Sequence, residues 1–273
     1  MKKRLPLGLV VEGSSTNSAL LRLPTVSEEL GPVKSSTVRV ARRLSNFLKA
    51  GYAVAQYEDL QAARLILLRV PDSAVARVVD EICRSELLFK GLSFLLCASW
   101  LPSAVLQPLA DRGATVATAV SVPSSREKWF VVEGQLPAVR QVRRFIERND
   151  GRAFEIRAGM KQLYFAAQLL TTALPVPLFL DAQQALRAGG ITGNHLYALL
   201  DELAREMFRS FISGSRMNWG GPLTECSEET VDSYLSALRG GHPQIAQTVE
   251  EQLRWARRKI LAQRHPSGRP VSS

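Results

Sequence analysis

Cysteine and histidine are scarce in this chain, which has three of each in 273 residues. The cysteines are Cys83, Cys97 and Cys226, and the histidines are His195, His242 and His265. Three widely spaced cysteines argue against a disulfide framework or a zinc site, and they are typical of a reducing cytoplasm. The histidines show no metal-ligand spacing and no Ser-His-Asp order. We therefore predict a cytoplasmic protein with no metal centre and no hydrolase triad.

Long apolar runs are missing as well, since none approaches the roughly 18 consecutive apolar residues of a membrane span. The apolar stretch near the start is short and is broken by Pro6 and Gly8. It also lacks a small-residue cleavage site, so we interpret it as a first buried strand and not as a signal peptide. We expect no membrane partner.

Basic residues exceed acidic ones, 35 against 25, which gives a net charge of +10. Such an excess can indicate a nucleic-acid or polyphosphate partner. The arginines and lysines are dispersed, however, with small groups over residues 39–43, 140–148 and 254–259. The last two sets have the spacing of a solvated helix face. The charge alone therefore does not lead us to expect nucleic acid.

The first half of the chain alternates short β-rich runs with amphipathic runs, which predicts a Rossmann-like, doubly wound parallel sheet. Several runs are almost wholly apolar, as strands covered by helices on both faces should be. The predicted strands are 7–11, 33–35, 53–55, 65–70, 93–97, 115–119 and 129–132, with a further short strand possible at 153–156. The predicted helices are 38–50, 73–84, 102–112 and 136–148, the second capped by Asp72.

The second half predicts only helices, so the fold class is α/β followed by all-α. We expect a long apolar helix over 160–188, bent near Pro175 and Pro177, because each proline removes a backbone donor. Further helices are expected over 194–212, 228–238 and 244–263. The predicted domains are 1–155 and 156–264, followed by a disordered tail over 265–273. Because the long helix has too little polar surface to stand alone, we predict a homodimer formed through the helical domain.

The turn after the first strand lacks the glycines of a dinucleotide-binding fingerprint. The fingerprint G-x-G-x-x-G lets the pyrophosphate approach the backbone at a helix N-terminus. Here Glu12 is followed by Gly13, Ser14, Ser15, Thr16 and Asn17, and neither possible register restores the pattern. Glu12 would repel phosphate, whereas the hydroxyl groups could still hold an anion. The turn is therefore either a modified phosphate site or a turn that merely caps a helix.

The end of the second strand bears on the identity of the cofactor. An acidic residue about 20 residues after the turn would bind the ribose of NAD, and basic or hydroxyl residues suit the 2′-phosphate of NADP. This chain has Lys34, Ser35, Ser36 and Arg39 there, and no carboxylate. If a dinucleotide binds, these residues favour NADP; the alternative is an ordinary exposed start of a helix.

Three stretches carry a resemblance to known reductases. Residues 65–75, with Val70-Pro71-Asp72 after a buried strand, resemble the corresponding run of reductases related to pyrroline-5-carboxylate reductase, 6-phosphogluconate dehydrogenase and deazaflavin-dependent NADP reductase. The motif Lys161-Gln162-Leu163-Tyr164-Phe165-Ala166-Ala167 and the run Gly220-Gly221-Pro222-Leu223 resemble a branch that joins a Rossmann-like domain to a helical domain of unknown function. The resemblance extends over nearly the whole chain. It implies NADP(H) in a cleft between domains, with Val70 and Pro71 beside the nicotinamide.

The same resemblance implies catalytic positions, and several of them are altered here. Phe165 stands where the branch has histidine, Ala173 where an asparagine is expected, and 97–100 keeps only Ser99 of a His-Thr-Ser-Gly-type turn. The run Glu225-Cys226-Ser227 also departs from an Arg-Gly-Asp-type stretch. Lys161 and Tyr164 remain and share a helix face. With Ser99 they are the candidate catalytic residues. The alternative is a lysine whose ammonium lies in water beside a tyrosine packed in the core.

Two functions follow from these observations. The first is an NADP(H)-dependent reductase of a carbonyl or imine in an unknown small molecule, with Lys161 as proton donor or orienting group. The second is a non-catalytic, dimeric binding or regulatory protein on the same scaffold, which would account for the lost glycines, the lost histidine and Glu12. Cofactor binding distinguishes the two.

Overall fold

The structure is a computed structural model that describes residues 7–12, 18–123, 128–214 and 226–264. Its contacts divide the chain into two compact units, Met1–Ala167 and Gln168–Ser273. Gly13 to Asn17, Gly220 to Leu223, Glu225 and the tail from His265 lie outside the described residues.

Within its described residues, the first unit is built on an eight-stranded sheet with the order β3-β2-β1-β4-β5-β6-β7-β8. The strands are β1 Leu7–Val11, β2 Leu30–Ser35, β3 Tyr52–Ala53, β4 Leu65–Arg69, β5 Ser93–Cys97, β6 Thr115–Ser121, β7 Trp129–Gly134 and β8 Arg152–Glu155. Neighbouring strands are parallel, except that β7 runs antiparallel to β6. The predicted Rossmann-like fold class is confirmed, and the short strand near residue 153 is present as β8.

Helices cover both faces of this sheet because its strands are apolar on both faces. The helices of the first part of the chain are α1 Pro24–Glu29, α2 Val38–Leu48, α3 Val75–Arg84, α4 Gln107–Asp111 and α5 Leu136–Glu147. Successive strand residues point to opposite faces. Leu65 and Leu67 of β4 therefore join the core with α5, and Ile66 and Leu68 join the core with α3.

Local turn chemistry shifts several of the predicted boundaries. After residue 18 the chain forms a 3₁₀ turn at Leu20–Arg22 and the short α1 before it enters β2. Asp72 does not cap α3: it opens a 3₁₀ turn at Asp72–Ala74, and Ala74 precedes the helix without a side-chain cap. The helix predicted over 102–112 begins as a 3₁₀ turn at Ser103–Leu106, and Pro108 lies in the first turn of α4. Proline is tolerated there because first-turn amides have no helical partner.

Two glycines are required by the backbone of the sheet. Gly51, before β3, has a φ of 73°, and an added Cβ would lie 2.6 Å from the carbonyl oxygen of Gly31. Gly134, at the end of β7, has a φ of 148°, and its Cβ would lie 2.4 Å from the carbonyl oxygen of Val116. A side chain at either position would be strained and would clash with backbone.

The helical part contains α6 Lys161–Thr171, α7 Val176–Ala188, α8 Gly193–Ser213, α9 Glu228–Gly241 and α10 Pro243–Arg264. The break between α6 and α7 at Pro175 agrees with the predicted bend. Together, Lys161–Ala188 are long and apolar enough to cross a membrane by length and composition, a test that buried helices of soluble proteins also pass. No residue of the most apolar window of this stretch is buried.

The second unit buries little of its own apolar surface. Among its described residues, the buried hydrophobic side chains are Leu196, Leu235, Ile245 and Ala246. Large side chains of α7 and α8 are exposed, namely Val176, Leu178, Phe179, Leu180, Tyr197, Leu203, Met207, Phe208, Phe211 and Ile212. An apolar groove of about 490 Å³ lies between α7 and α10, lined by residues such as Leu178, Ala185 and Val249.

Candidate active and cofactor site

The candidate site lies at the edge of the sheet where the parallel strands end. β2, β1, β4 and β5 finish side by side at Ser35, Val11, Arg69 and Cys97. From β1 the chain continues to β2 and β3 on one side, and from β4 it continues to β5 and β6 on the other. This reversal between β1 and β4 is the topological switch point at which doubly wound sheets bind their ligands.

Lys161 is buried at this edge, with only 2% of its surface exposed. Its Nζ donates to the Ser99 carbonyl oxygen at 2.6 Å, the Leu101 carbonyl oxygen at 2.9 Å and Thr118 Oγ1 at 2.7 Å. Burial lowers the pKa of Lys161 from its ordinary value of 10.5 to about 8, although the nearby carboxylates of Glu133 and Asp72 raise it. The ammonium is therefore not in water, and its three hydrogens are all donated to protein acceptors.

Glu133 is a buried carboxylate whose charge acts on this lysine, and only 1% of its surface is exposed. Its Oε2 accepts from the Ser103 backbone N–H at 2.8 Å, and its Oε1 accepts from Ser103 Oγ at 2.8 Å and the Gly159 backbone N–H at 2.8 Å. Thr118 Oγ1 donates weakly to Oε2 at 3.5 Å. Glu133 therefore ties β7 to the start of a 3₁₀ turn and to the segment that leads into α6.

The turn after β5, residues 98–101, is called the β5 loop. Ala98 has a φ of 55°, a left-handed conformation that costs a residue with a Cβ about 1 kcal/mol. Ser99 Oγ donates to Asp72 Oδ1 at 2.7 Å and accepts from the Leu101 backbone N–H at 3.0 Å. The Ser99 carbonyl oxygen points to Lys161. The loop is thus tied through Asp72 to the 3₁₀ turn that follows β4, and through Lys161 to α6.

Three aromatic rings meet beside the β5 loop. The Trp100 ring stacks on Tyr164 with centroids 5.9 Å apart and an interplanar angle of 22°. Phe165 meets Trp100 edge-on, with centroids 5.2 Å apart. Trp100 is 37% exposed and Phe165 is 42% exposed, so this aromatic cluster is part of the surface. Burial raises the pKa of the Tyr164 hydroxyl, which therefore stays protonated at neutral pH.

The three predicted catalytic residues are brought together around the β5 loop. Lys161 binds the carbonyl oxygen of Ser99, and Tyr164, one turn along α6, stacks on Trp100. Lys161 and Tyr164 therefore approach the same loop, as residues three apart on a helix do. Phe165 joins them through Trp100, at the position where the resemblance expects a histidine.

The predicted phosphate contacts differ in exposure and in hydrogen bonding. Ser35 is buried and its Oγ donates to the Val11 carbonyl oxygen at 2.7 Å, so it joins β2 to β1 and does not face a ligand. Lys34 Nζ donates to the Ser35 carbonyl oxygen at 2.7 Å and lies 4.7 Å from the centre of the Tyr57 ring. Ser36 and Arg39 are exposed at the start of α2. Val70 is buried at the end of β4, and Pro71 is exposed.

An ionic network joins the ends of β1 and β2, and three of its members, Arg77, Glu81 and Tyr57, were not predicted from the sequence. The Glu12 carboxylate pairs with the Arg77 guanidinium, which also donates to Glu81 at 2.6 Å. Glu81 accepts from the Tyr57 hydroxyl at 2.9 Å. Partial burial raises the pKa of Glu81, but the hydrogen bonds from Arg77 and Tyr57 outweigh it and hold that pKa below its ordinary value. We call Glu12, Arg77, Glu81, Tyr57 and Lys34 the edge network.

Glu133 and Arg77 were missed for different reasons. Glu133 lies next to the end of the apolar strand β7, and the sequence does show this carboxylate. A carboxylate in an apolar strand is a recognisable signal of a buried polar network. Arg77 is an exposed residue in the first turn of α3 and is 65 residues from Glu12 in the chain. Nothing in the sequence indicates that pairing.

Comparisons with known proteins agree with this architecture. Residues 128–252 match the profile of a domain of unknown function, DUF2520. A search of curated proteins finds no match. Three solved structures share the fold over nearly the whole chain at low sequence identity.

The first of these structures is an NADP oxidoreductase candidate from Bacteroides fragilis, 16% identical, with a TM-score of 0.72, covering 92% of this chain and 96% of that one. An imine reductase from Aspergillus terreus is 16% identical, with a TM-score of 0.65, covering 92% and 88%. A reductive aminase from Aspergillus terreus, solved with NADPH and ethyl-5-oxohexanoate, is 14% identical, with a TM-score of 0.63, covering 94% and 95%. This chain is a Rossmann-like sheet followed by helices, its residues 128–252 are similar to a domain of unknown function, and it shares its fold with solved structures named as NADP oxidoreductases and imine reductases.

Proposed function

We propose that this protein binds NADP(H) at the carboxyl edge of its sheet and reduces a carbonyl or imine group. The observation that carries the proposal is the junction of Lys161, Ser99 and Tyr164 at the β5 loop, on the same sheet edge as Lys34 and Arg39. A dinucleotide lying across a doubly wound sheet at its switch point spans this edge. The similar structures named as NADP oxidoreductases and imine reductases support the same reaction class.

The residues of the edge fit an NADP phosphate. Lys34 near the end of β2 and Arg39 in the first turn of α2 lie where an NADP 2′-phosphate is expected, and they bring positive charge without a competing carboxylate on that strand end. The misfit is Glu12 at the end of β1, but its charge is paired with Arg77. The donor set therefore suits a phosphate, and bound NADPH would supply the hydride for a reduction.

Tyr164 and Lys161 have different roles at the site. Because Lys161 gives all three of its hydrogens to Ser99, Leu101 and Thr118, it positions the β5 loop and is not free to donate a proton. The Tyr164 hydroxyl stays protonated and can donate a hydrogen bond to a substrate oxygen or nitrogen. Trp100, stacked on Tyr164, fixes the plane of that ring.

A fluorescence titration of the purified protein with NADPH and with NADH tests the cofactor. We expect saturable binding with preference for NADPH. Lys34→Gln should weaken NADPH binding by roughly tenfold, the value of one charge-assisted contact, and leave NADH binding unchanged. Lys90→Gln, an exposed lysine that precedes β5 and so lies toward the opposite edge of the sheet, is the matched control. Equal, weak responses to both nucleotides would contradict the proposal.

Turnover is tested by NADPH consumption with a panel of ketones and cyclic imines. We expect Tyr164→Phe to lower kcat by about 10²-fold, the usual contribution of a positioned acid, with little change in NADPH binding. Tyr234→Phe, at an exposed position of α9, should behave as the wild type. Unchanged kcat in Tyr164→Phe would remove this residue from the reaction.

A second function is favoured by the full engagement of Lys161. A lysine whose hydrogens are all donated within the protein, beside Phe165 in place of a histidine, is compatible with a binding or regulatory protein that has no catalysis. NADPH binding without turnover on the whole panel would select this second function.

We also propose that the active form is a soluble, cytoplasmic homodimer formed through the helical unit. The exposed apolar side chains of α7 and α8 exceed what single surface residues explain. Asp181 and Arg187 in α7, and Arg205 and Glu206 in α8, interrupt these apolar surfaces with charge. Lipid disfavours such charges, whereas a second copy of the chain can place them at the rim of an interface.

A further inference from the structure

Glu12 occupies a position at the sheet edge that the sequence marks as unfavourable for a phosphate. It follows β1 directly, and its backbone N–H donates to the Arg69 carbonyl oxygen at 3.1 Å, at the end of β4. Glu12 is thus fixed at the switch point between β1 and β4. Its side chain is only 12% exposed and turns to the guanidinium of Arg77.

Arg77 holds two carboxylates at once. One face of its guanidinium pairs with Glu12, and another nitrogen donates to Glu81 at 2.6 Å. The Arg77 side chain is 55% exposed, so it has room to change partners without unpacking the core. A guanidinium has five donor hydrogens in a planar fork, which suits carboxylate and phosphate oxygens equally well.

The other members of the edge network connect the Glu12–Arg77 pair to Lys34, a predicted contact of the 2′-phosphate. Glu81 accepts from the Tyr57 hydroxyl at 2.9 Å, and the Lys34 ammonium lies over the Tyr57 ring at 4.7 Å. Arg77 and Lys34 are therefore two cations connected through Tyr57, Arg77 by way of Glu81 and Lys34 by its position over the ring. Lys34 lies near the end of β2, and Arg77 reaches Glu12 just after the neighbouring strand β1, so both cations lie at the sheet edge where a dinucleotide would bind.

We propose that Arg77 is a phosphate-binding residue and that Glu12 is an internal anion which occupies it until a phosphate of the ligand takes the place of the carboxylate. This inference rests on the proposed binding of NADP(H) and deepens it. Glu12 then sets the affinity: it keeps Arg77 ordered and its charge paired in the free protein, and it competes directly with the ligand. The sequence alone suggests only repulsion by Glu12, because Arg77 is distant in the chain.

NADPH titrations of five proteins test this competition. They are the wild type, Glu12→Gln, Arg77→Gln, the double variant and Arg84→Gln, which breaks the exposed Arg84–Asp80 pair at the far end of α3 as the matched control. We expect Glu12→Gln to bind roughly tenfold more tightly than the wild type, since one charge-assisted contact becomes available. Arg77→Gln should bind more weakly than the wild type. The double variant should lose the gain of Glu12→Gln, and Arg84→Gln should match the wild type.

The double variant separates a contact from simple charge masking. If Arg77 only neutralised Glu12, removing both would leave the affinity as high as that of Glu12→Gln, and that result would overturn the inference. Unchanged or weaker binding by Glu12→Gln would overturn it as well. Far-UV circular dichroism and melting temperatures of all five proteins show whether each variant is folded.

Inorganic pyrophosphate as a second probe keeps this inference distinguishable from the proposed function. A ligand that binds only the folded protein raises its melting temperature in proportion to its affinity. If no protein binds NADPH, but pyrophosphate stabilises Glu12→Gln more than the wild type and the double variant, the anion site stands and the dinucleotide proposal fails. If pyrophosphate stabilises all five proteins equally, the Arg77 site is wrong.

Discussion

Lys161 carries a positive charge into a part of the first unit that water does not reach. The cost of removing its ammonium from water lowers its pKa to about 8, and the three hydrogen bonds and the nearby Glu133 compensate only partly. A buried charge of this kind is retained where it holds several elements in one arrangement. Here it joins the β5 loop, β6 and the first turn of α6.

The pKa of Lys161 has a consequence for stability against pH. Between pH 8 and its ordinary value of 10.5, the unfolded chain binds more protons at this residue than the folded chain does. Stability therefore rises with pH through this window, by about 3 kcal/mol in total from this group. Below the window the lysine is charged in both states and the cost of burying it is constant.

The free energy of unfolding in urea, measured for the wild type and for Lys161→Met from about pH 7.5 to about pH 10.5, checks this prediction. The wild type should gain stability relative to Lys161→Met as the pH rises, because methionine does not titrate. If the difference in unfolding free energy between the wild type and Lys161→Met stays constant across this pH range, the pKa of Lys161 is not lowered and the prediction is wrong. Lys90→Met, which is exposed, should show no such trend.

At the scale of elements, Glu133 connects three parts of the chain that are separate in sequence. It lies on β7, and it accepts hydrogen bonds from Ser103 in the turn after β5 and from Gly159 before α6. Gly134 after it has a positive φ and no room for a side chain, so the strand end is held in place from both directions. This arrangement sets where α6 begins and thereby where Lys161 and Tyr164 point.

Glu133→Gln should destabilise the first unit by about 1–3 kcal/mol, because the amide group would face N–H donors that need acceptors. The substitution should change the protection of individual amides near Glu133 more than it changes the free energy of global unfolding. Hydrogen exchange at the Ser103 and Gly159 amides should become faster, since their acceptor is weakened. Glu147→Gln, in the exposed pair with Arg143, is the control and should change neither measurement. Unaltered exchange at both amides would show that Glu133 does not hold this segment.

At the scale of the whole molecule, the two units differ in how they satisfy their apolar residues. The first unit fills both faces of its sheet with core. The second exposes leucines and phenylalanines of α7 and α8 together with the apolar groove between α7 and α10. A helix that is apolar on every side is stable only when it is covered.

Light scattering coupled to gel filtration tests the homodimer. We expect a particle of twice the chain mass of 30.1 kDa, and a monomeric or aggregated product for Leu180→Glu and Phe208→Glu. Gln184→Glu adds the same charge at an exposed polar position of α7 and should stay dimeric. A monodisperse wild-type monomer would contradict the proposal. Recovery only in detergent would instead indicate that residues 161–188 lie in a membrane.

The strands and the helices were predictable because their signals are local. An apolar strand such as β4 must be covered on both faces of the sheet. The helical period of the apolar residues in α2, α3 and α5 indicates the amphipathic helices that provide this cover. The strand order in a doubly wound sheet follows from handedness rules that act on neighbouring elements. Lys161, Tyr164 and Ser99 were indicated by the resemblance, which also supplied their expected roles.

The contacts of these residues required the tertiary structure. Lys161 was interpreted as either catalytic or solvated, and its burial under the β5 loop is decided by elements about 40 to 60 residues away in sequence. The pairing of Glu12 with Arg77 and the anchoring of Gly159 by Glu133 are of the same kind. The sequence by itself determined a Rossmann-like half followed by helices, because hydrophobic periodicity acts within one element. Only the tertiary structure decided which charges are paired, because an ion pair depends on distances between elements that no local pattern records.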